Sequence, residues 1–283
     1  MKKTVLFFIA LILCVSFPLV SFAEGSEKGP AGVLTIAGVD EDTLNKVLED
    51  LHIFVNLPYS GYKYFDNLNS MIMALQSGMI SMINTDEFTA GYLISRSDAF
   101  AALPIEERDE VYYNYAMVLM EDNQALCDRI SAAIDDMKSD GTMDSLRKQY
   151  IDDCIAGTEP EAAVPVVFEG ADTLKVALTG DKPPMDYFSL AGIPAGFNTA
   201  LMSEVAKRLG MNVQFISIDS GARAISLSSG ESDVVFWSQL GEFDNWEKSN
   251  SEDLPEHTIP THPYLRGKEA FVVMADSELA AQK

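Results

Sequence analysis

One pattern occurs twice in this chain. "ALQSGMISMINTDEF", Ala74 to Phe88, ends an apolar helical stretch on Ser-Gly, runs through a strand-like segment and closes on a polar, acidic turn. "SLSSGESDVVFWSQL", Ser226 to Leu240, repeats that order about 150 residues later. A second pair follows in step: "AMVLMEDNQAL" from Ala116 matches "AFVVMADSELA" from Ala270, at 38 positions after Gly78 and 40 after Gly230. Two matches in one order at nearly equal spacing predict two lobes of similar build.

The segments around the repeat alternate. "VLTIAG" (33–38), "MISMIN" (79–84), "TLKVALTG" (173–180), "MNVQFISI" (211–218) and "SDVVFW" (232–237) read as strands. Between them "DEDTLNKVLEDLH", "DNLNSMIMALQSG", "DEFTAGYLIS" and "NTALMSEVAKRLG" read as helices, the last stopped by Gly210. Strand and helix trading places predicts α/β lobes with mostly parallel sheets flanked by helices. At 283 residues the chain suits two lobes of roughly 100–150 residues each.

The opening "MKKTVLFFIALILCVSFPLVSFAEG" has two lysines, an apolar run and small residues at Ser21 and Ala23, the form of a secretory signal over residues 1–23. The protein is therefore expected outside the cytoplasm, in the periplasm or at the cell surface. The formal charge of −23 becomes −25 once Lys2 and Lys3 leave, which opposes nucleic acid and anionic membranes as partners.

Two cysteines remain in the mature chain. "NQALCDRISAAIDDMKSDGTMDSLRKQYIDDC" reads as a helical hairpin about Asp140-Gly141, with Thr142 as a cap, and Cys127 and Cys154 stand 14 before and 13 after Gly141. Antiparallel arms of that length bring the thiols to one end, where export permits a disulfide; two buried free thiols are the alternative.

From Leu174 the order strand, Pro-Pro-aromatic turn ("GDKPPMDYF"), Gly-Phe-led helix ("AGFNTALMSEVAKRLG") and "SLSSGESDVVF" resembles the first lobe of bacterial extracellular solute-binding proteins of family 3, the polar amino acid type. "SMIMALQSGMISMINTDEFTAGYLI" and the hairpin after "YAMVLM" resemble the second lobe and closing helices of the same family. The resemblance implies a two-lobed fold of the type II periplasmic-binding-protein kind with a hinge. It orders the chain as a signal peptide (1–23), a second-lobe-like segment with the closing hairpin (24–155), a linker (156–171) and a first-lobe-like segment ending in a hinge strand (172–283). That order is reversed from the family's. A circular permutant fits it best, and a degenerate tandem copy or a shortened chain also fits.

The resemblance places the ligand between the lobes. Asp86, with Thr85 beside it, matches the family's amine-holding position; its plain alternative is a helix cap. Met185 and Tyr187 match cleft walls, and the end of "DVVFWSQL" adds Trp237, Ser238 and Gln239, although Met185 and Trp237 are also ordinary core residues. Family members that bind amino acids carry an Arg a few residues beyond, whose two parallel donors grip the α-carboxylate. Asn245 stands there, with Lys248 the nearest cation. An amine or a peptide-like, carboxylate-free solute is thus expected rather than a free amino acid.

Enzyme and metal chemistry find little support, since His52, His257 and His262 are scattered and no nucleophile elbow is present. No cofactor is implied. The expected function is an extracytoplasmic receptor that delivers a small polar solute to the membrane permease of an ABC-type importer by hinge closure. The alternative is a sensing or interaction module of the same fold, coupled to a sensor partner instead of transport.

Overall fold

The two halves of the repeat become the two ends of one sheet, joined by two long strands. The computed structural model describes residues 29–34, 40–50, 59–104, 111–240 and 254–281. The expected signal (1–23), His52, Asn245 and Lys248 lie outside them.

In chain order the first half contributes β1 (Ala31–Leu34), α1 (Glu41–Asp50), β2 (Tyr62–Phe65), α2 (Leu68–Gln76), β3 (Met82–Asp86), α3 (Glu87–Arg96), β4 (Phe100–Ala102) and β5 (Tyr112–Met120). The hairpin follows as α4 (Gln124–Ser139), α5 (Thr142–Arg147), a π turn over Lys148–Asp152 and α6 (Asp153–Ile155). After the linker come β6 (Thr173–Leu178), β7 (Asp181–Lys182), β8 (Asp186–Phe188), β9 (Pro194–Ala195), α7 (Phe197–Leu209), β10 (Asn212–Ser217), α8 (Arg223–Ser228), β11 (Val234–Leu240), β12 (Thr258–Pro260) and β13 (Leu265–Met274).

The sheet order is β10-β6-β11-β5-β13-β3-β1-β2, with β12 on β5 and β4 on β13. Its outer pairs, β10–β6–β11 and β3–β1–β2, are parallel, whereas β5 and β13 run antiparallel to each other and to their neighbours. Parallel neighbours need a helical crossover and the alternation of the sequence supplies it. The two crossing strands are the exceptions because each must carry the chain from one end of the sheet to the other.

β13 makes the division visible. Leu265–Lys268 pair with Tyr112–Tyr115 of β5, and Glu269–Val272 pair with Ile83–Asp86 of β3. Distinct cores flank that point. Leu68, Met71, Leu75, Ile83, Leu93 and Val272 cluster at the first end, while Met117, Ile130, Met137, Ile151, Val176, Phe197, Leu201 and Val205 cluster at the second. The closing hairpin therefore packs with the β6–α7 segment that follows it. Helix α7 buries Phe197, Leu201 and Val205 completely along one stripe, each worth about 1.5–3 kcal/mol of removed apolar surface. The runs "AMVLM" and "AFVVM" lie on opposite sides of the crossing: Met117 and Leu119 pack in the second core, with Val118 in a smaller cluster beside Ala177 and Val235, while Val272 packs in the first core, with Phe271 and Val273 in a smaller cluster beside Ala31 and Met82.

The hairpin departs from expectation in two places. The cap position falls on Gly141 and not on Thr142, which is the first helical residue and whose amide donates to Asp140 Oδ1 at 2.9 Å. The expected Cys127–Cys154 bridge is absent and both are free, buried thiols. Counting from Gly141 treats the arms as straight, but the second arm is broken by the π turn, whose extra residue changes the face that Cys154 presents. Cys127 Sγ donates to the Pro260 carbonyl oxygen at 3.3 Å, on β12, whereas the Cys154 carbonyl accepts from Arg96 Nη2 at 3.2 Å, on α3.

Candidate functional site

β3 ends in Asp86, where the chain leaves the sheet and turns into α3. The backbone there is extended, and Asp86 Oδ1 accepts from the Phe88 and Thr89 amides at 3.0 and 2.9 Å. That is the side-chain cap its residue type favours. Oδ2 does something further: it holds Lys182 Nζ at 2.7 Å, and the two side chains are 3% and 21% exposed. Asp86 belongs to the first end of the sheet and Lys182 to β7 beside the second. The ion pair spans the seam.

Burial alone would raise the Asp86 carboxyl, but the Lys182 ammonium and the Thr89 hydrogen bonds outweigh it and hold the group below the usual carboxylate range. An aromatic floor lies beneath: Phe88 and Tyr115 ring centres are 6.0 Å apart, Tyr115 and Tyr264 6.4 Å, and Phe236 meets Tyr264 edge-on. Lys182 Nζ stands 6.0 Å from the Tyr115 ring. Burial pushes the Tyr115 and Tyr264 phenols well up, so both remain neutral donors at any physiological pH.

β7 is a short strap. Lys182 pairs with Asp186 on β8, and its carbonyl accepts from the Met185 amide at 2.9 Å across the turn that contains the cis Pro183–Pro184 bond. Asp186 in turn is buried and accepts from Thr179 Oγ1, the Gly180 amide and Asn198 Nδ2 at 2.8–2.9 Å. The neighbour of Lys182, Asp181, also reaches across the seam: its Oδ2 accepts from the Leu68 amide at the start of α2, at 2.8 Å. Burial pushes the Asp181 carboxyl up. Ser220 Oγ lies 3.4 Å from the Asp66 carbonyl oxygen on the same line. Arg223, opening α8, faces Asp186 and Asp181; burial lowers its guanidinium while those carboxylates oppose the effect.

The residues singled out from the sequence do not all converge. Asp86 lies at the seam, and Thr85 precedes it in β3, half-buried. Met185 is fully buried within the second core and is no cleft wall. Tyr187 is half-buried, and its hydroxyl donates to Glu159 Oε1 at 2.9 Å, while Glu159 Oε2 takes Arg96 at 2.8 Å. It thus ties β8 through the linker to α3. β11 alternates its faces: Phe236 turns to Tyr264, and Trp237 packs on the other side with Val118, Ala177 and Leu227. Ser238 is exposed, and the Gln239 backbone stands opposite Asn114. Of the scattered histidines, His257 and His262 sit beside Glu121 and Asp135 on the surface. Among the described residues no group of His, Cys, Asp or Glu could hold a metal ion, and no helix is long and apolar enough to cross a membrane.

Lys182, Asp181, Tyr115 and Tyr264 escaped the sequence reading. The first two stand in "GDKPPM", inside the stretch that carries the family resemblance, so a signal was available. The tyrosines carried none, since nothing local shows which residues of a crossing strand face the seam.

Residues 174–241 match the family model "Bacterial extracellular solute-binding proteins, family 3". The resemblance carried by β6, the Pro-Pro turn, α7 and β11 is therefore shown over that segment, and that family is one of binding proteins rather than enzymes. A search of curated protein sequences finds no match. Among solved structures, the chain is similar to the ligand-binding component of an ABC-type import system from Staphylococcus aureus, solved with zinc bound (11% identity, 91% of this chain and 68% of that one, TM-score 0.44). It is also similar to a probable amino-acid ABC transporter extracellular-binding protein from Bacillus subtilis (9%, 90% and 87%, 0.42) and to a putative L-cystine ABC transporter from Listeria monocytogenes (10%, 90% and 86%, 0.42). At TM-scores this low these likenesses have no bearing on ligand or partner.

Proposed function

We propose that the protein is an extracytoplasmic receptor for a small polar, amine-bearing solute, which it encloses between its lobes and delivers to the membrane permease of an ABC-type importer. In this reading residues 1–23 are the export signal, and the second-lobe-like segment (24–155), linker (156–171) and first-lobe-like segment (172–283) form a permuted two-lobe body. Asp86 is the ligand's cation anchor. The observation that carries the reading is the Asp86–Lys182 pair: a buried carboxylate at the seam, pre-oriented by its capping bonds, already accepts an ammonium at 2.7 Å. A charge so little exposed demands a cationic partner, because an unpaired one is costly to bury. Two crossing strands are the connection about which lobes can close, and ligand contacts made only in the closed form would shift that population.

Thermal-shift screening of the mature chain against primary amines, amino acids and short peptides tests it, followed by calorimetry. An amine should bind and Asp86→Asn should lose that binding by tenfold or more, with the cap preserved by the amide. Amine binding that is unchanged in Asp86→Asn overturns the anchor, and a screen in which only anions bind overturns the ligand class. The second reading, a sensing module, is favoured by one observation: the anchor is filled by the protein's own lysine. A permease and ATPase encoded beside the protein would support import, and a kinase or cyclase would support sensing.

A further inference from the structure

We infer that Lys182 is a tethered stand-in for the ligand: its ammonium occupies the Asp86 site when no solute is bound, holds the two lobes together, and sets the cleft's selectivity by making any solute compete with it. The claim about the solute rests on the receptor reading above, while the latch itself stands on the cross-seam contacts alone.

The strap that carries Lys182 is fixed in its own lobe by its backbone and meets the other lobe through its side chains. β7 is held by pairing with β8 and by the Met185 amide, so the Lys182 backbone has one position. Two successive residues of this strap then reach over the seam with opposite charges, Asp181 to the amide of Leu68 and Lys182 to the carboxylate of Asp86. The exposures decide how the pair breaks. Lys182 retains access to water and a four-carbon stem that can swing, whereas Asp86 cannot be hydrated unless the seam opens. The lysine is the member that can leave, and Asp86 is the member that must then be given another cation.

Competition follows from tethering. A group held on a short linker acts at an effective concentration in the millimolar range or above, so a free amine must exceed that level or bring extra contacts of its own. Anionic and neutral solutes displace nothing. Simple monoamines should bind weakly to the wild type, and the preferred solute is an amine whose remaining atoms use the aromatic floor of Tyr115 and Tyr264.

The test uses the mature chain with n-butylammonium, which reproduces the lysine stem and head, and n-butanol as its uncharged counterpart. Lys182→Ala should be more expanded in small-angle X-ray scattering than wild type, and millimolar n-butylammonium should return it to the wild-type profile. n-Butanol should not, and neither should n-butylammonium in the Lys182→Ala/Asp86→Asn double variant. By calorimetry Lys182→Ala should bind n-butylammonium at least tenfold more tightly than wild type. Should Lys182→Ala fail to fold, Lys182→Met keeps the stem without the charge and serves for the scattering comparison. A Lys182 variant as compact as wild type and indifferent to n-butylammonium overturns the latch. Rescue by n-butylammonium in a protein that binds no other amine leaves the latch standing and removes the receptor reading. A solute that binds wild type and Lys182→Met equally does the reverse.

Discussion

Replacing Gly196 by alanine should be among the most destabilising single-methyl additions in the protein, by about 3–5 kcal/mol. Gly196 precedes α7 with φ 101° and ψ 179°, a region that residues with a Cβ essentially never occupy. Holding alanine there costs about 1–3 kcal/mol of backbone strain. The new Cβ would also stand 2.6 Å from the Met185 carbonyl oxygen and 2.7 Å from that of Pro184. Neither carbonyl can retreat freely, because the Phe197 amide donates to Pro184 O at 3.0 Å and the Asn198 amide to Met185 O at 2.8 Å. Relieving the clash sacrifices these bonds, at about 1 kcal/mol each. Gly192 is the internal control: its φ is 72°, yet a Cβ there meets nothing within 4 Å, so Gly192→Ala should cost only the left-handed penalty of about 1–2 kcal/mol. Urea unfolding followed by intrinsic fluorescence compares the two midpoints. Equal small shifts would refute the reasoning, since they would mean that the Pro-Pro turn gives way without loss.

Two further outcomes follow from the buried groups. Ellman's reagent should titrate two thiols in the unreduced, unfolded mature chain and react slowly with the native one, because burial pushes both thiols up and suppresses the reactive thiolate; finding none would restore the bridge. Asp86 is held below its ordinary value, so the stability it adds is complete above the unfolded carboxylate pKa of about 3.9 and is lost as pH falls through the lower folded value. The stability difference between wild type and Asp86→Asn, read from urea midpoints, should stay constant from neutral pH down to about 5 and shrink below 4. Shrinkage already between neutrality and pH 5 would reverse the assigned direction.

The fold was legible where periodicity and stop signals agree. "DNLNSMIMALQSG" folds as α2, with Asn67 Oδ1 accepting from the Ser70 amide at the start and Gly78 at φ 73° just past the end. "NTALMSEVAKRLG" ends on Gly210 at φ 67° in the same way. Elements whose reasons are not local stayed hidden. The three-stranded β7–β8–β9 sheet is built from two- and three-residue strands that no period can mark, and it is held by Asp186, whose partners lie up to twelve positions away. The thiol pair was misjudged for a related reason: residue counting measures the length of a helix but not the face change that a π turn introduces.

The site divides along the same line. Asp86 was marked because it matches the amine-holding position of the family that the flanking segments resemble, with a helix cap as the plain alternative; the cap is present, Oδ1 accepting from the Phe88 and Thr89 amides, and Oδ2 pairs with the Lys182 ammonium. The two roles belong together. Capping fixes the carboxylate's orientation with bonds that survive whatever happens at Oδ2, so the cation can be exchanged without disturbing the helix. A carboxylate used only as a cap would have no need of the second charge, and one used only as an anchor would swing when its partner left. What the local pattern could not disclose is which cation arrives, because Lys182 is 96 positions away and reaches Asp86 only after β13 has set the two ends of the sheet side by side. The charge that meets Oδ2 is thus the chain's own, and only the tertiary structure shows it.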